Sequence, residues 1–207
     1  MTVEKGAAWG AAGGLPPGGV VVADDAAARR VVEGARRAGA PVPALGLVGG
    51  DLCRTLGGTG DRARLAGPDA GGTQVPVDLG SVLLDGRLHW FVAHLVARRS
   101  WWSGRIVAAM NAEFLGDWDV APRAHPGDGR LDVVDVSPAL GLVDRVRARR
   151  RLPSGTHVPH PAIRIERRAA TQVEFDRPTP VWLDGERVGE ARRLSIRLEP
   201  DALVCVV

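Results

Sequence analysis

Carboxylates set in turns are the residues of this 207-residue sequence best placed to do chemistry. Asp184-Gly185-Glu186 puts two of them either side of a glycine, between Val- and Leu-rich runs. A carboxylate there can take a proton from a hydroxyl within hydrogen-bond reach, and Asp-Gly between two strands is equally a plain hairpin turn. A second tight loop runs from His125 through Pro126-Gly127-Asp128-Gly129 to Arg130. Asp128 offers the hard oxygen a divalent cation prefers, with backbone oxygens to fill the shell; the alternative is a simple glycine turn. The five histidines (His89, His94, His125, His157, His160) lack zinc-type spacing, and Pro159 separates the last two. There is no Gly-x-Ser-x-Gly and no P-loop, so hydrolase and Walker-type ATPase readings have no nucleus.

The elements that must hold these residues are mostly strands. Short Val-, Leu- and Ile-rich runs cover 75–84, 89–96, 105–114, 131–136, 162–167, 172–175, 181–183, 194–198 and 203–207. Asp85-Gly86, Gly127-Asp128-Gly129, Asp184-Gly185 and Pro200-Asp201 separate them, a pattern that predicts an antiparallel β-sandwich or barrel. One helix is expected over 138–150, with apolar Leu140, Leu142, Val143 and Val146 and a strongly basic end. Nearer the start, Val20-Val21-Val22 reads as a strand. Asp24 or Asp25 caps a helix through Ala28, Val31, Val32, Ala35 and Ala38, and Gly39 ends it. A second short strand over 44–48 leads into Gly49-Gly50-Asp51. The fold class is therefore mainly β, an antiparallel sandwich over 75–207 with a short α/β stub over 20–60. Residues 1–19, rich in Gly, Ala and Pro, are expected to be mobile, and 57–74 read as a linker.

Composition bounds the rest. The chain is 45% hydrophobic and 25% charged, with net charge +3 and a pI near 9.6. No run approaches the roughly 18 apolar residues of a membrane span. The first residues have no apolar signal core, so a cytoplasmic location is expected. Cys53 and Cys205 stand far apart and read as reduced, buried thiols. Lys5 is the only lysine, so the basic charge is almost all arginine, whose guanidinium grips phosphate with two nitrogens. Arg145, Arg147, Arg149, Arg150 and Arg151 sit at the end of the 138–150 segment, where they can dock on anionic headgroups at the inner face of a membrane. No nucleic-acid motif accompanies them, and nucleic acid is not expected as a partner. Trp101-Trp102, flanked by Arg98, Arg99 and Arg105, read as core anchors before they read as an interfacial pair.

Three segments carry a resemblance. Met110-Asn111-Ala112-Glu113-Phe114-Leu115-Gly116 runs on to Ala121-Pro122-Arg123-Ala124-His125-Pro126-Gly127-Asp128-Gly129-Arg130-Leu131-Asp132-Val133-Val134. Arg151 to Pro161 contains a Gly-x-His and a His-Pro. Val181-Trp182-Leu183-Asp184-Gly185-Glu186 precedes a closing pair of strands. In order and spacing, over roughly 75–207, these resemble the C-terminal half of the bacterial diacylglycerol kinase-like lipid kinases.

That resemblance implies roles. Asp184, with Glu186 beside it, falls where the family places its general base. His125, Asp128 and Arg130 fall on the loop that holds a structural cation. The family's Gly-Gly-Asp-Gly-Thr loop cradles ATP phosphates with backbone N–H groups; the place corresponding to it here is Ala23-Asp24-Asp25-Ala26-Ala27. Both glycines are replaced, and two carboxylates stand where the polyanion sits. Gly49-Gly50-Asp51 followed by Leu52-Cys53-Arg54-Thr55-Leu56-Gly57 is similar to the family's later Asn-Asp-Leu-Ala-Arg-Thr-Leu-Gly stretch. Asp24, Asp25, Gly49, Gly50 and Asp51 thus form the expected nucleotide side. The reading that follows is a divergent lipid-kinase relative with a reduced nucleotide domain, impaired ATP-dependent phosphotransfer and a surviving lipid-binding role. Its alternatives are an active small lipid kinase using ATP and Mg²⁺ at a rebuilt phosphate site, within one chain or across a homodimer, and a ligand-free interaction module.

Overall fold

The structure, a computed structural model, describes residues 9–67 and 71–207. In chain order the elements are β1 (Ala11–Ala12), β2 (Val20–Val22), α1 (Asp25–Arg37), β3 (Leu45–Leu47), α2 (Asp51–Thr55), β4 (Thr73–Leu84), β5 (Arg87–Phe91), β6 (His94–Arg98), β7 (Ile106–Met110), β8 (Phe114–Leu115), β9 (Trp118–Asp119), β10 (Leu131–Val136), α3 (Leu142–Arg151), β11 (Ile163–Arg168), β12 (Ala170–Leu183) and β13 (Glu186–Val206). Short 3₁₀ turns cover Arg62–Leu65 and Leu152–Ser154.

The long sheet runs β1-β4-β13-β12-β6-β7-β10-β11, antiparallel throughout, with β5 paired to β4. Residues of β4, β5, β6, β7, β10, β12 and β13 share one core, in which Phe91, Leu95, Leu131, Leu183 and Ile196 are fully buried. Asp85-Gly86 and Asp184-Gly185 close the β4–β5 and β12–β13 hairpins as expected, whereas Pro200-Asp201 lies within β13. Asp85, Asp184 and Asp201 each take positive φ (46°, 50° and 51°), a region short polar side chains tolerate. Runs read as separate strands fuse in pairs into β12 and β13, with irregularities between Glu174 and Thr179 and between Glu199 and Leu203. Pro178, which has no N–H to give a ladder, sits in the first.

The α/β stub is joined to this sheet. β3 pairs parallel with the end of β13 (Leu45 opposite Cys205), and β2 pairs with β3. Val22, Ala28, Val32, Leu45, Leu47, Leu52 and Cys53 share a core with Val77, Leu79, Trp90 and Cys205. The thiols are free and buried, as expected. Of the N-terminal residues expected to be mobile, 9–19 make contacts with the sheet: β1 pairs with Gln74 and Thr73, and the Trp9 ring lies 4.4 Å from that of His125. The rest of that expectation, residues 1–8, lies outside the described residues. Among the described residues no helix is long and apolar enough to cross a membrane.

Candidate functional site

α1 starts where Asp24 caps it, its carboxylate accepting Ala27 N–H at 2.7 Å. Asp25 and Arg29, four residues apart, share the buried face with Ala28 and Val32. From there Asp25 reaches the next turn, accepting Asp51 N–H at 2.6 Å and Leu52 N–H at 3.1 Å. Gly49 and Gly50 make that approach possible. A Cβ on Gly50, whose φ is +93°, would lie 2.5 Å from Asp25 Oδ1, and one on Gly49 would lie 2.4 Å from the Ala23 carbonyl oxygen. Asp51 in turn accepts Gly116 N–H at 3.0 Å and bonds His94 Nε2 at 2.9 Å.

Asp184 enters from the β12–β13 turn. Its wholly buried carboxylate accepts three N–H groups, from Val92 (2.9 Å), Ala93 (2.8 Å) and His94 (3.0 Å). Those donors explain why the single run read over 89–96 splits into β5 and β6 at Val92–Ala93. Arg29 Nε lies 4.0 Å from Asp184, and the same guanidinium pairs with Glu186 and, at 3.4 Å, with Glu33. Arg30 also holds Glu186, at 2.5 Å.

The electrostatics follow from burial and crowding. Burial, then the nearby Asp184 charge, pushes the Asp25 carboxyl up to about 7. Burial also raises Asp184, against the His94 charge and three N–H donors that favour its anion. Burial works to lower His94, but the Asp51 hydrogen bond and three surrounding carboxylates win and hold it above its usual value. Burial pushes Asp51 up as well, yet bonding to His94 and Gly116 leaves it below the ordinary carboxylate range.

The structure therefore brings Asp25, Gly49, Gly50 and Asp51 together with Asp184 and Glu186, and leaves Asp24 on the surface as a helix cap. Ligand atoms of Asp25, Asp51 and His94 lie within 4.8 Å of one another, a donor set that suits a divalent cation if His94 releases Asp51. His94 and Arg29 are members that sequence reasoning missed. Arg29 was legible as the residue four after Asp25 on an apolar face; His94 comes in only through the fold.

The loop over 125–130 does not fit a cation as it stands. The Asp128 carboxylate is paired with Arg167 and accepts Arg130 N–H at 2.9 Å, while the His125 carbonyl accepts Asp128 N–H. The Asp128 oxygen expected to ligate a cation faces the Arg167 guanidinium. The loop is anchored by buried Asp78, which accepts Gly129 N–H and Asp201 N–H.

Two corrections concern α3. Arg145, expected at a membrane surface, is buried and donates to the carbonyls of Leu140, Trp101, Gly104 and Ser137. Leu142 and Val143, expected on the apolar side, are 59% and 63% exposed, beside exposed Arg147, Arg149, Arg150 and Arg151. The tryptophan pair divides: Trp101 packs edge-on against Trp118 at 5.2 Å, and Trp102 is exposed. Beneath α3 lies an apolar cavity of about 100 Å³ lined by Trp101, Trp118, Ile106, Val134 and Ile163 among others.

Residues 82–207 match the YegS C-terminal NAD kinase beta sandwich-like domain. No curated protein matches the chain by sequence. A solved structure from Bacillus anthracis str. Sterne, assigned as a diacylglycerol kinase, is similar with TM-score 0.62 at 16% identity, over 79% of this chain and 69% of that one. A second structure from the same organism, assigned likewise, gives TM-score 0.65 at 15% identity, over 90% and 77%. At such identities the likeness is one of fold.

Proposed function

The chain belongs to the YegS C-terminal NAD kinase beta sandwich-like domain family, and on that premise we propose a lipid-kinase relative that binds a lipid or lipid-like ligand and whose own phosphotransfer from ATP is impaired. One observation carries the reading: the protein's own carboxylates take the backbone donors that a phosphate would need. Asp24 engages Ala27 N–H at the start of α1, and Asp25 engages Asp51 and Leu52 N–H. Phosphoryl transfer is almost entirely positioning and charge stabilisation, so a cradle whose backbone donors are already taken by the protein's own carboxyl groups defeats it. Asp184 adds to this, since a base sealed beneath three N–H groups cannot meet an alcohol. The lipid reading draws on the apolar cavity under α3 and the face above it. Leu142, Val143 and Trp102 can enter the acyl boundary while Arg147, Arg149, Arg150 and Arg151 meet anionic headgroups.

A second reading, an active small lipid kinase, is favoured by the meeting of Asp25, Asp51, His94, Asp184 and Arg29 in one place. There Mg²⁺ would supply charge neutralisation, Asp25 and Asp51 would hold it, and Asp184 would have to open toward solvent, within one chain or across a homodimer.

Thermal unfolding with Mg-ATP and with lipid separates the two. A nucleotide present at a hundred times its Kd stabilises by about 2.7 kcal/mol, a shift of several degrees. The expected result is no shift with Mg-ATP and a rise in Tm with vesicles containing phosphatidic acid or diacylglycerol. A clear rise with Mg-ATP transfers the conclusion to the active kinase; no response to either lipid removes the binding role.

A further inference from the structure

A second cavity, of about 790 Å³, opens beside the apolar one, and Ile163 lines both. This is the size of ordinary small-molecule sites, which are largely apolar with a few convergent polar groups. Its walls come from the segment after β9, from β10 and β11, and from the loop between α3 and β11. Arg123, Asp132, His160 and Arg167 converge on it. None of these belongs to the cluster around Asp25 and Asp184, and the inference does not depend on whether that cluster works.

Asp132 is the telling residue. It is 3% exposed, it lines the cavity, and its Oδ2 has no hydrogen-bond partner among the described residues. A buried carboxylate oxygen without a donor is costly, so native structures supply one. Burial pushes its pKa up to about 6, while Arg123 pulls the other way. The remaining polar groups are donors. Arg123 and Arg167 carry only N–H groups, with one Arg167 nitrogen on Asp128. His160 Nδ1 accepts Ala162 N–H at 3.1 Å, which leaves Nε2 as its donor. A complementary ligand is rich in acceptors, anionic, and carries one donor for Asp132. Two guanidiniums disfavour an ammonium as that donor, so it is a hydroxyl. Arginine forks match the oxygens of a phosphoryl group, and the volume exceeds what inorganic phosphate fills.

We propose that this cavity binds a phosphorylated polyol, the phosphoryl group held by Arg123 and Arg167 and a neighbouring hydroxyl donating to Asp132. The same chemistry occurs in a free sugar or glycerol phosphate and in the head of a single-chain phospholipid.

Isothermal titration of the full chain with sn-glycerol 3-phosphate, inorganic phosphate and glycerol tests it. Glycerol phosphate should bind at least about tenfold more tightly than inorganic phosphate, and glycerol alone should give no signal. Arg123→Gln and Arg167→Gln should each weaken glycerol phosphate about tenfold or more. Asp132→Asn should keep phosphate binding but lose the preference for the polyol. Arg123 is exposed, so its variant folds and carries the test even if the buried substitution does not. Absence of glycerol phosphate binding overturns the proposal. So does equal affinity for inorganic phosphate, or indifference to Arg123→Gln. Lysophosphatidic acid below its micelle concentration identifies the source: tighter binding than glycerol phosphate points to a lipid head, equal binding to a free organophosphate, and either upholds the site.

Discussion

Asp25 and Asp184 are both buried carboxylates, yet their partners differ and so do the consequences of losing them. Asp184 satisfies three backbone N–H groups from a backbone at φ +50°. Asp184→Ala leaves all three buried donors orphaned and places a Cβ-only side chain in a left-handed turn. Urea denaturation should show a loss of about 3–5 kcal/mol, and a loss below about 1 kcal/mol would contradict the structural role assigned to it. Asp25 works in the other direction. Its carboxyl is raised to about 7 from 3.8, so the stability it contributes is complete below about pH 4 and drains away as pH climbs through 7. His94, also raised, adds a contribution present below its ordinary 6.5 and lost above its folded value. Asp132, near 6, acts in the same direction. Asp51, lowered, opposes them only at acid pH. The melting temperature should therefore fall as pH rises from about 4 to about 7, with His94 extending the fall above 6.5. Asp25→Asn should flatten that slope and stabilise the protein at the alkaline end, by at most about 4 kcal/mol at 1.36 kcal/mol per pKa unit. An unchanged slope in this variant would place the titrating group elsewhere.

At the scale of elements, α3 shows how a helix can be read correctly and oriented wrongly. Pro138 and Gly141 delay its start to Leu142, and its basic end is as the sequence implies. Pattern reasoning counts every arginine as polar, but Arg145 is buried because four carbonyls from two segments, the β6–β7 loop and the stretch before α3, converge on it. That rotation turns Leu142 and Val143 outward. Leu142→Asp with Val143→Asp should weaken sedimentation with anionic vesicles several-fold and leave Tm nearly unchanged, since surface changes shift stability by only about 0.5 kcal/mol. Full retention of vesicle binding would remove this face as the docking surface. Arg145→Lys, by contrast, should lower Tm, because an ammonium cannot fork to carbonyls set around a guanidinium. The strands were legible for local reasons: Val- and Leu-rich runs between Asp-Gly turns. The break between β5 and β6 was not, because its cause, the Asp184 carboxylate, lies some ninety residues further along the chain. The site shared this limit. Asp184, Asp25 and Asp51 could be named from motifs, whereas their sealing beneath backbone donors depends on contacts between distant turns.

For the molecule as a whole, the question is whether the α/β stub and the sandwich unfold as one. Sequence divides them at the glycine-rich stretch over 57–74, and composition alone gives no reason to join them. The joining is done by β13, whose last residues pair with β4 on one side and β3 on the other, so one strand belongs to both halves. The shared core adds to this: Leu45 is fully buried among residues drawn from both. Leu45→Ala removes buried methyl groups at that seam and should cost about 2–5 kcal/mol. If the halves are coupled, the cost falls on the entire fold. Tryptophans then report it together, since Trp9 and Trp90 sit at the seam while Trp101 and Trp118 lie across the sheet beneath α3. Urea unfolding of the Leu45→Ala variant, followed by tryptophan fluorescence and by far-ultraviolet circular dichroism, should show one coincident transition moved to lower denaturant with an unchanged m-value. Two separated transitions, or a fluorescence change that precedes the loss of strand signal, would mean that the stub melts from the sheet by itself and that β13 does not transmit stability between them.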